Sequence, residues 1–396
     1  MSNPLSLLPI ALAAGGGSLD GQPAASAVAA GFTLLQRSAP LVRALAGRRS
    51  AILLPPSAAA VTALAASDGH GAVLLSESAT TASLRSALDL GDVGAVFTTR
   101  ALAARLPQGE RAVVVLDEAP RAATVFVRGV ESTVDLGSHF GLELEGEEDE
   151  GRDEECLLTL LTPANTRATS AVFSHRNLLA LARGAVDAAS LLKRDRTLAA
   201  MPLVELGATA FSMLGPLLAG AHVTTMAHFD ANEAIRRIED DGITHLVGDE
   251  AMYAAMAARL DARGRSLAAR ALRVCVGLGF DFDTGVHDDW RRLTGVELRV
   301  AVGTADAPLS LFNAPHFPNR PGTFGVPFPG MQLSVRDTRS GATLSPGTAG
   351  TLWVRGSAVA RRALEPDAGA PSRGDEWVPT HLCVRERPDG AFEPVR

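Results

Sequence analysis

Lysine is almost missing from this chain. Of its 37 basic residues only Lys193 is a lysine, so any chemistry that needs one must use Lys193 or do without. Cysteine is equally sparse: Cys156, Cys275 and Cys383 are three in 396 residues, odd in number and far apart. That excludes a disulfide framework, and no C-x-x-C pair suggests zinc or dithiol redox work. Cys156 and Cys275 sit in apolar runs, where a free cysteine acts as a small buried hydrophobe. Positive charge is short as well: 37 bases against 44 acids give −7, so neither a nucleic-acid groove nor an anionic membrane surface is expected. No apolar run approaches the ~20 residues that cross a bilayer. The N-terminal stretch MSNPLSLLPIALAAGGG lacks the basic start of an export signal, since the first arginine is Arg37. The expected compartment is the cytoplasm.

What is present is the material of an ordinary globular chain, 46% hydrophobic and 20% charged, with enough length for roughly two to three packed units. Apolar residues recur at helical spacing from Ala27 to Gly47. Buried-strand runs then alternate with helical stretches: Ala51–Pro55, Gly71–Ser76, Val93–Thr98 and Ala112–Asp117. This pitch predicts α/β structure with parallel strands. Between Glu143 and Glu155 nine of thirteen residues are acidic, which predicts an exposed, mobile loop rather than a metal site. The pattern resumes with strands at Cys156–Thr162, His222–Met226, Thr244–Val247, Leu272–Gly277 and Glu297–Val302, and with helices at Arg176–Leu192 and Asn232–Asp241. Beyond Pro321, dense Gly and Pro punctuate short β-like runs such as MQLSVRD and GTLWVRG. The division expected is 1–155 and 156–320 as two α/β subdomains and 321–396 as a β-rich one.

Several segments agree in order and spacing with one family. They are SHRNLLA from Ser174, the stretch from Gly215 to Tyr253, RPGTFGVPFPGMQLSVRD with LSPGTAGTLWVRG between Arg320 and Gly356, and EWVPTHL from Glu376. In these the chain resembles the large N-terminal domain of adenylate-forming enzymes: acyl-CoA synthetases, adenylation domains and luciferases. The resemblance implies layered α/β subdomains followed by a β-rich one. It also implies a two-step chemistry in which ATP and a carboxylate give an acyl-adenylate, and a thiol or amine then takes the acyl group. The family's small C-terminal domain, which carries a second catalytic lysine, would begin where this sequence stops and is expected to be absent.

The devices that the resemblance assigns to ATP are altered here. Its glycine-rich phosphate loop with a lysine corresponds to Leu161–Ser170, in which no glycine remains and Thr169 stands at the lysine position. Thr162, Thr166, Thr169 and Ser170 retain hydroxyls and Arg167 a charge. Glycines matter in such a loop because they let backbone N–H groups close around phosphate oxygens. The small-residue adenine segment corresponds to Gly277, Leu278, Gly279 and Phe280, with two bulky side chains expected to crowd the slot. The Thr-Glu motif becomes Gly303, Thr304, Ala305 and Asp306, and the aspartate that would hold ribose becomes Leu382. Glu205 stands where a histidine often gates the acyl pocket. Glu205, Gly207 and Tyr253 are the acyl-pocket candidates, with a cavity expected beside Gly303.

Other constellations favour structural roles. Ser174-His175 is better read as an N-cap and first helical residue than as a nucleophile and base, because neighbours on a helix point apart. Asp283 or Thr284 is expected to cap a helix, and Lys193 to sit favourably past a helix end. His222 and His228 lack a third ligand nearby, and no metal is expected. The resulting expectation is a degenerate homologue acting as a binding or partner subunit. It would need no cofactor, and its partner would be an acyl carrier protein, a pathway enzyme, or a small carboxylate or acyl ligand. The alternative is a divergent AMP-dependent ligase or a repurposed acyl-transfer enzyme, which would need ATP, magnesium and CoA.

Overall fold

Strands buried on both faces read as continuous apolar runs, because no position faces water. Val93–Thr98 and His245–Gly248 are buried along their whole length, and Arg49–Leu53 along nearly all of it. A computed structural model of the chain describes residues 7–137, 157–161, 169–264, 266–267, 271–280, 282–320, 322–360, 362–363 and 376–395. Its strands form two nine-stranded sheets and one four-stranded sheet, with helices packed between and around them.

The first sheet runs, edge to edge, through Arg362–Ala363, Thr169–Phe173, Leu157–Leu161, Ala72–Leu74, Arg49–Leu53, Val93–Thr98, Ala112–Leu116, Ala122–Val127 and Val130–Asp135. The second runs through Val326–Pro327, Leu311–Phe312, Leu298–Val302, Val274–Leu278, His245–Gly248, Arg196–Ala199, His222–Thr225, Ser18–Leu19 and Gln22–Pro23. Six of its neighbours, from Leu298–Val302 to Ser18–Leu19, are mutually parallel. The small antiparallel sheet comprises Met331–Arg336, Ala349–Gly356, Val378–Glu386 and Phe392–Pro394. The α/β class and the β-rich third part therefore hold.

Two expectations need correction. The division at residue 155 is not a sheet boundary: Leu157–Leu161 pairs in parallel with Ala72–Leu74, whereas Ser18–Leu19 crosses to the other sheet beside His222–Thr225. Apolar periodicity tells that a strand is buried but not which edge it extends, so strand exchange is invisible to it. The helical stretch 27–47 is also two helices, Ala24–Arg37 and Ala39–Leu45. Pro40 lacks an N–H and suits only a first turn, and the Ser38 side chain accepts from the backbone N–H of Leu41 to start it.

The helix His175–Ala189 links the sheets to the third part. Ser174 and Asn177 form a reciprocal capping box, and the Asn177 side-chain amide donates to the Ser357 carbonyl at 2.6 Å. The Ser174 hydroxyl is thus committed to capping, as expected. Midway along, a Cβ on Gly184 would stand 2.4 Å from the Phe328 ring, so only glycine lets this contact form.

Candidate functional site

In parallel α/β sheets the strand carboxyl ends leave a crevice where ligands bind. Here Arg196–Ala199, His245–Gly248, Val274–Leu278 and Leu298–Val302 all end toward the same edge. The segments that follow them carry Glu205 and Gly207, Asp249, Leu278 to Phe280, and Gly303 to Asp306. A Cβ on Gly207 would meet the Pro308 carbonyl at 2.9 Å and the Leu278 side chain at 3.6 Å, so these three segments touch. The Asp306 carbonyl accepts from the Ala360 N–H at 2.8 Å, which ties the edge to the chain leaving the small sheet.

Glu205 is open to solvent but closely surrounded by protein, as a side chain in a crevice is. Burial, and then the nearby Asp249 carboxylate, raise its pKa above the ordinary glutamate value. Asp249 caps the helix Glu250–Ala262 by accepting from the Met252 N–H at 2.8 Å. The Glu250 carboxylate accepts from the Asp283 N–H at 3.1 Å, and Asp283 caps the helix Thr284–Thr294. The crevice rim is therefore acidic. Asp249 was not singled out from sequence, although an aspartate directly after the run THLVG is a strand-to-helix cap signal.

Gly277 to Phe280 do not fill the crevice in the manner expected. Phe280 is 43% exposed and faces solvent. Gly279 has φ 148°, a conformation open to glycine, and through this turn the next aromatic, Phe282, comes to lie over Gly277. Beside Gly303 the space is taken by backbone: a Cβ there would stand 2.1 Å from the Pro308 carbonyl oxygen. Tyr253 is a core residue, fully buried, with its hydroxyl 3.0 Å from the carbonyls of both Leu246 and Val276. It stitches two strands and is not open to the crevice.

Leu382 stands in the four-stranded sheet, partly buried against the core and without a polar atom to offer a ribose. Thr169 and Ser170 belong to a strand, with Thr169 opposite Leu161 and Ser170 opposite Leu160. Thr162, Thr166 and Arg167 lie outside the described residues, as do Cys156 and the acidic run from Glu143 to Glu155. Among the described residues no group of three or more His, Cys, Asp or Glu is placed to hold a metal, and no helix is long and apolar enough to cross a membrane.

The opposite, amino edge of the same sheet carries a partly buried ionic network that the sequence did not reveal. Asp195, Thr244 and Arg273 each precede a strand. Asp195 and His245 are buried, with 1% and 2% of their side chains exposed. Arg273 donates to Asp195 at 2.5 Å and to the Ser190 carbonyl at 3.0 Å, while Thr244 Oγ1 lies 2.8 Å from His245 Nδ1. Lys193 is at this edge too, its stem 3.4 Å from where a Gly220 Cβ would be.

The AMP-binding enzyme family matches residues 41–362, most of the chain. The chain belongs to that family. It is 26% identical over 253 residues to 4-coumarate–CoA ligase-like 3 of Oryza sativa subsp. japonica, covering 58% of this chain and 41% of the relative. It is 28% identical over 262 residues to the feruloyl-CoA synthase of an Amycolatopsis species, covering 64% and 52%. The chain thus spans about half the length of these curated relatives or less. Among solved structures, the anthranilate CoA ligase AuaEII in complex with anthranoyl-AMP superposes with a TM-score of 0.77. That match has 19% identity and covers 100% of this chain and 78% of the other. At that identity the likeness is one of fold, and homology to AMP-forming acyl-CoA ligases rests on the family match and the relatives.

Proposed function

We propose that this chain is a member of the AMP-binding family that no longer makes acyl-adenylates by the family route. It would serve an acyl or carboxylate pathway as a binding or partner subunit, with an acyl carrier protein or pathway enzyme as its partner. The observation that carries this reading is the placement of charge about one sheet. Glu205, Asp249 and Glu250 follow the strand carboxyl ends, where a nucleotide would enter. The one lysine, Lys193, lies at the far edge, on the order of 13 Å away for strands of this length. Carboxylates facing a polyphosphate repel it, and like charges across a desolvated contact cost several kcal/mol. The loop without glycine and the apolar Leu382 act in the same direction.

Calorimetry with ATP and magnesium, with and without candidate carboxylates, tests the reading. ATP should show no saturable heat, whether or not a carboxylate is present. Carboxylate-dependent pyrophosphate exchange above a heat-inactivated control would overturn it. The second reading, a divergent ligase for ATP, magnesium and CoA or a carrier thiol, is favoured by Phe280, which leaves the crevice mouth unplugged. In that case Arg167→Ala should abolish exchange.

A further inference from the structure

Two of the three tryptophans, Trp353 and Trp377, are only half-buried, whereas Trp290 is fully enclosed. Trp353 lies in the four-stranded sheet and Trp377 directly precedes its strand Val378–Glu386. Its pairing sets Gln332 opposite Arg355, Ser334 opposite Trp353 and Arg336 opposite Thr351. Val354 stands opposite Val378, which places Trp377 beside Arg355. Strand alternation puts Val335, Leu352 and Val354 on the buried face and these polar and aromatic residues on the other.

On that outer face the side chains are stacked. The Arg336 guanidinium lies 4.8 Å from the ring centres of both Trp353 and Trp377, and Arg355 lies 4.8 Å from Trp377. The order is Arg355, Trp377, Arg336, Trp353. Arg336 Nε donates to Ser334 Oγ at 3.3 Å, and Arg355 donates to Gln332 Oε1. Neither guanidinium holds a carboxylate among the described residues. Elsewhere on the surface Arg292 pairs with Asp261 at 3.0 Å, Arg320 with Asp389 at 3.2 Å and Arg385 with Glu393 at 3.4 Å.

We propose that this Arg–Trp stack is a docking surface for an acidic protein segment. Stacking fixes each guanidinium plane while its N–H edge stays in the plane of the fork, an arrangement suited to carboxylates. A planar cation held between indoles has already lost much of its rotamer freedom, so less is lost on binding. Tryptophan and arginine are the residues that concentrate binding energy in interfaces. Charge complementarity selects the occupant: two cations that hold no carboxylate among the described residues favour a segment with paired Asp or Glu, and apolar neighbours on that segment would cover the exposed indole surface. The surface is remote from the adenylation question and would serve a silent homologue and a ligase alike.

The test is fluorescence anisotropy with a labelled peptide alternating Glu and Leu, using the full chain. Affinity should fall with rising salt and drop at least about tenfold in the double variant Arg336→Ala, Arg355→Ala. Arg336→Lys with Arg355→Lys, which keeps charge but loses the stack, should fall in between. Should the double variant unfold, the unaltered chain still decides: peptide binding must change its tryptophan emission. Equal affinity in the folded variant, an unchanged emission, or tighter binding of a basic peptide, single-stranded DNA or anionic vesicles would each overturn the proposal.

Discussion

At the amino edge of the second nine-stranded sheet, a buried carboxylate is answered by a cation that reaches in from the surface. Asp195, though 1% exposed, takes hydrogen bonds from Arg273 and from the Leu192 N–H, and His245 fills the remaining space beside Thr244. At the carboxyl edge of the same strands, Glu205 faces Asp249 and Phe280 stands 43% exposed. At one edge the buried acid has a basic partner; at the other, two acids face each other among the described residues. Closing an edge with an ion network seldom adds net stability over apolar packing. The network instead fixes geometry, holding the end of the helix His175–Ala189 through the Ser190 and Ala189 carbonyls. At the other edge, Glu205 and Asp249 stand close enough for the aspartate to raise the glutamate pKa.

Breaking the closed edge should have the largest effect. Arg273→Ala strands a buried carboxylate and should lower unfolding free energy by about 3–5 kcal/mol, measured by urea denaturation. Burial alone would raise the Asp195 pKa, but the Arg273 hydrogen bond and the Leu192 N–H bring it below the usual aspartate value, so the variant's deficit should shrink in strong acid.

The pH dependence comes next. Burial, and after it the Arg273 charge, lower the His245 pKa from 6.5 to about 4. The unfolded chain therefore gains a proton on His245 below pH 6.5 that the folded chain refuses until about pH 4. Stability should fall as pH drops through that window, by on the order of 3 kcal/mol in total. His245→Asn should flatten this slope in stability curves taken across the window; an unchanged slope would assign it elsewhere.

At the open edge the expected effects are smaller and of opposite sign. Glu205 has a folded pKa raised above 4.5, so its ionisation works against the fold as pH rises through that value. Glu205→Gln should raise the melting temperature slightly at neutral pH and not at acid pH, as scanning calorimetry would record. A loss at neutral pH would mean that the carboxylate has a partner at the crevice. Phe280→Ala should change stability by less than about 0.5 kcal/mol, as for an exposed side chain. A larger loss in denaturant titration would mean that Phe280 covers apolar surface after all.

Much of this architecture was legible. The 3.6-residue periodicity from Arg176 onward gave the helix that runs from His175 to Ala189, and Ser174 was its cap. Strands such as Val93–Thr98 were found to the residue, because a fully buried strand leaves an unmistakable apolar run. The site was legible only in part. The resemblance names Leu382, Gly303 and Asp306 as site positions, but the direction of Phe280 and the burial of Tyr253 could not be read from sequence. Both depend on contacts with segments distant in sequence, Gly277 with Phe282 and Tyr253 with the carbonyls of Leu246 and Val276.

By itself the sequence determined the local chemistry: one lysine at Lys193, no glycine between Leu161 and Ser170, an apolar residue at 382, and the alternation that makes this an α/β chain. Only the tertiary structure decided which of these groups meet. It moved Leu157–Leu161 into the first sheet and Ser18–Leu19 into the second, set Lys193 and Glu205 at opposite ends of the same strand, and stacked Arg336 between two tryptophans. The reason is physical. Propensity and periodicity act over a few neighbours along the chain, whereas strand partners, buried ion pairs and stacked rings are chosen by packing between segments whose separation no local pattern encodes.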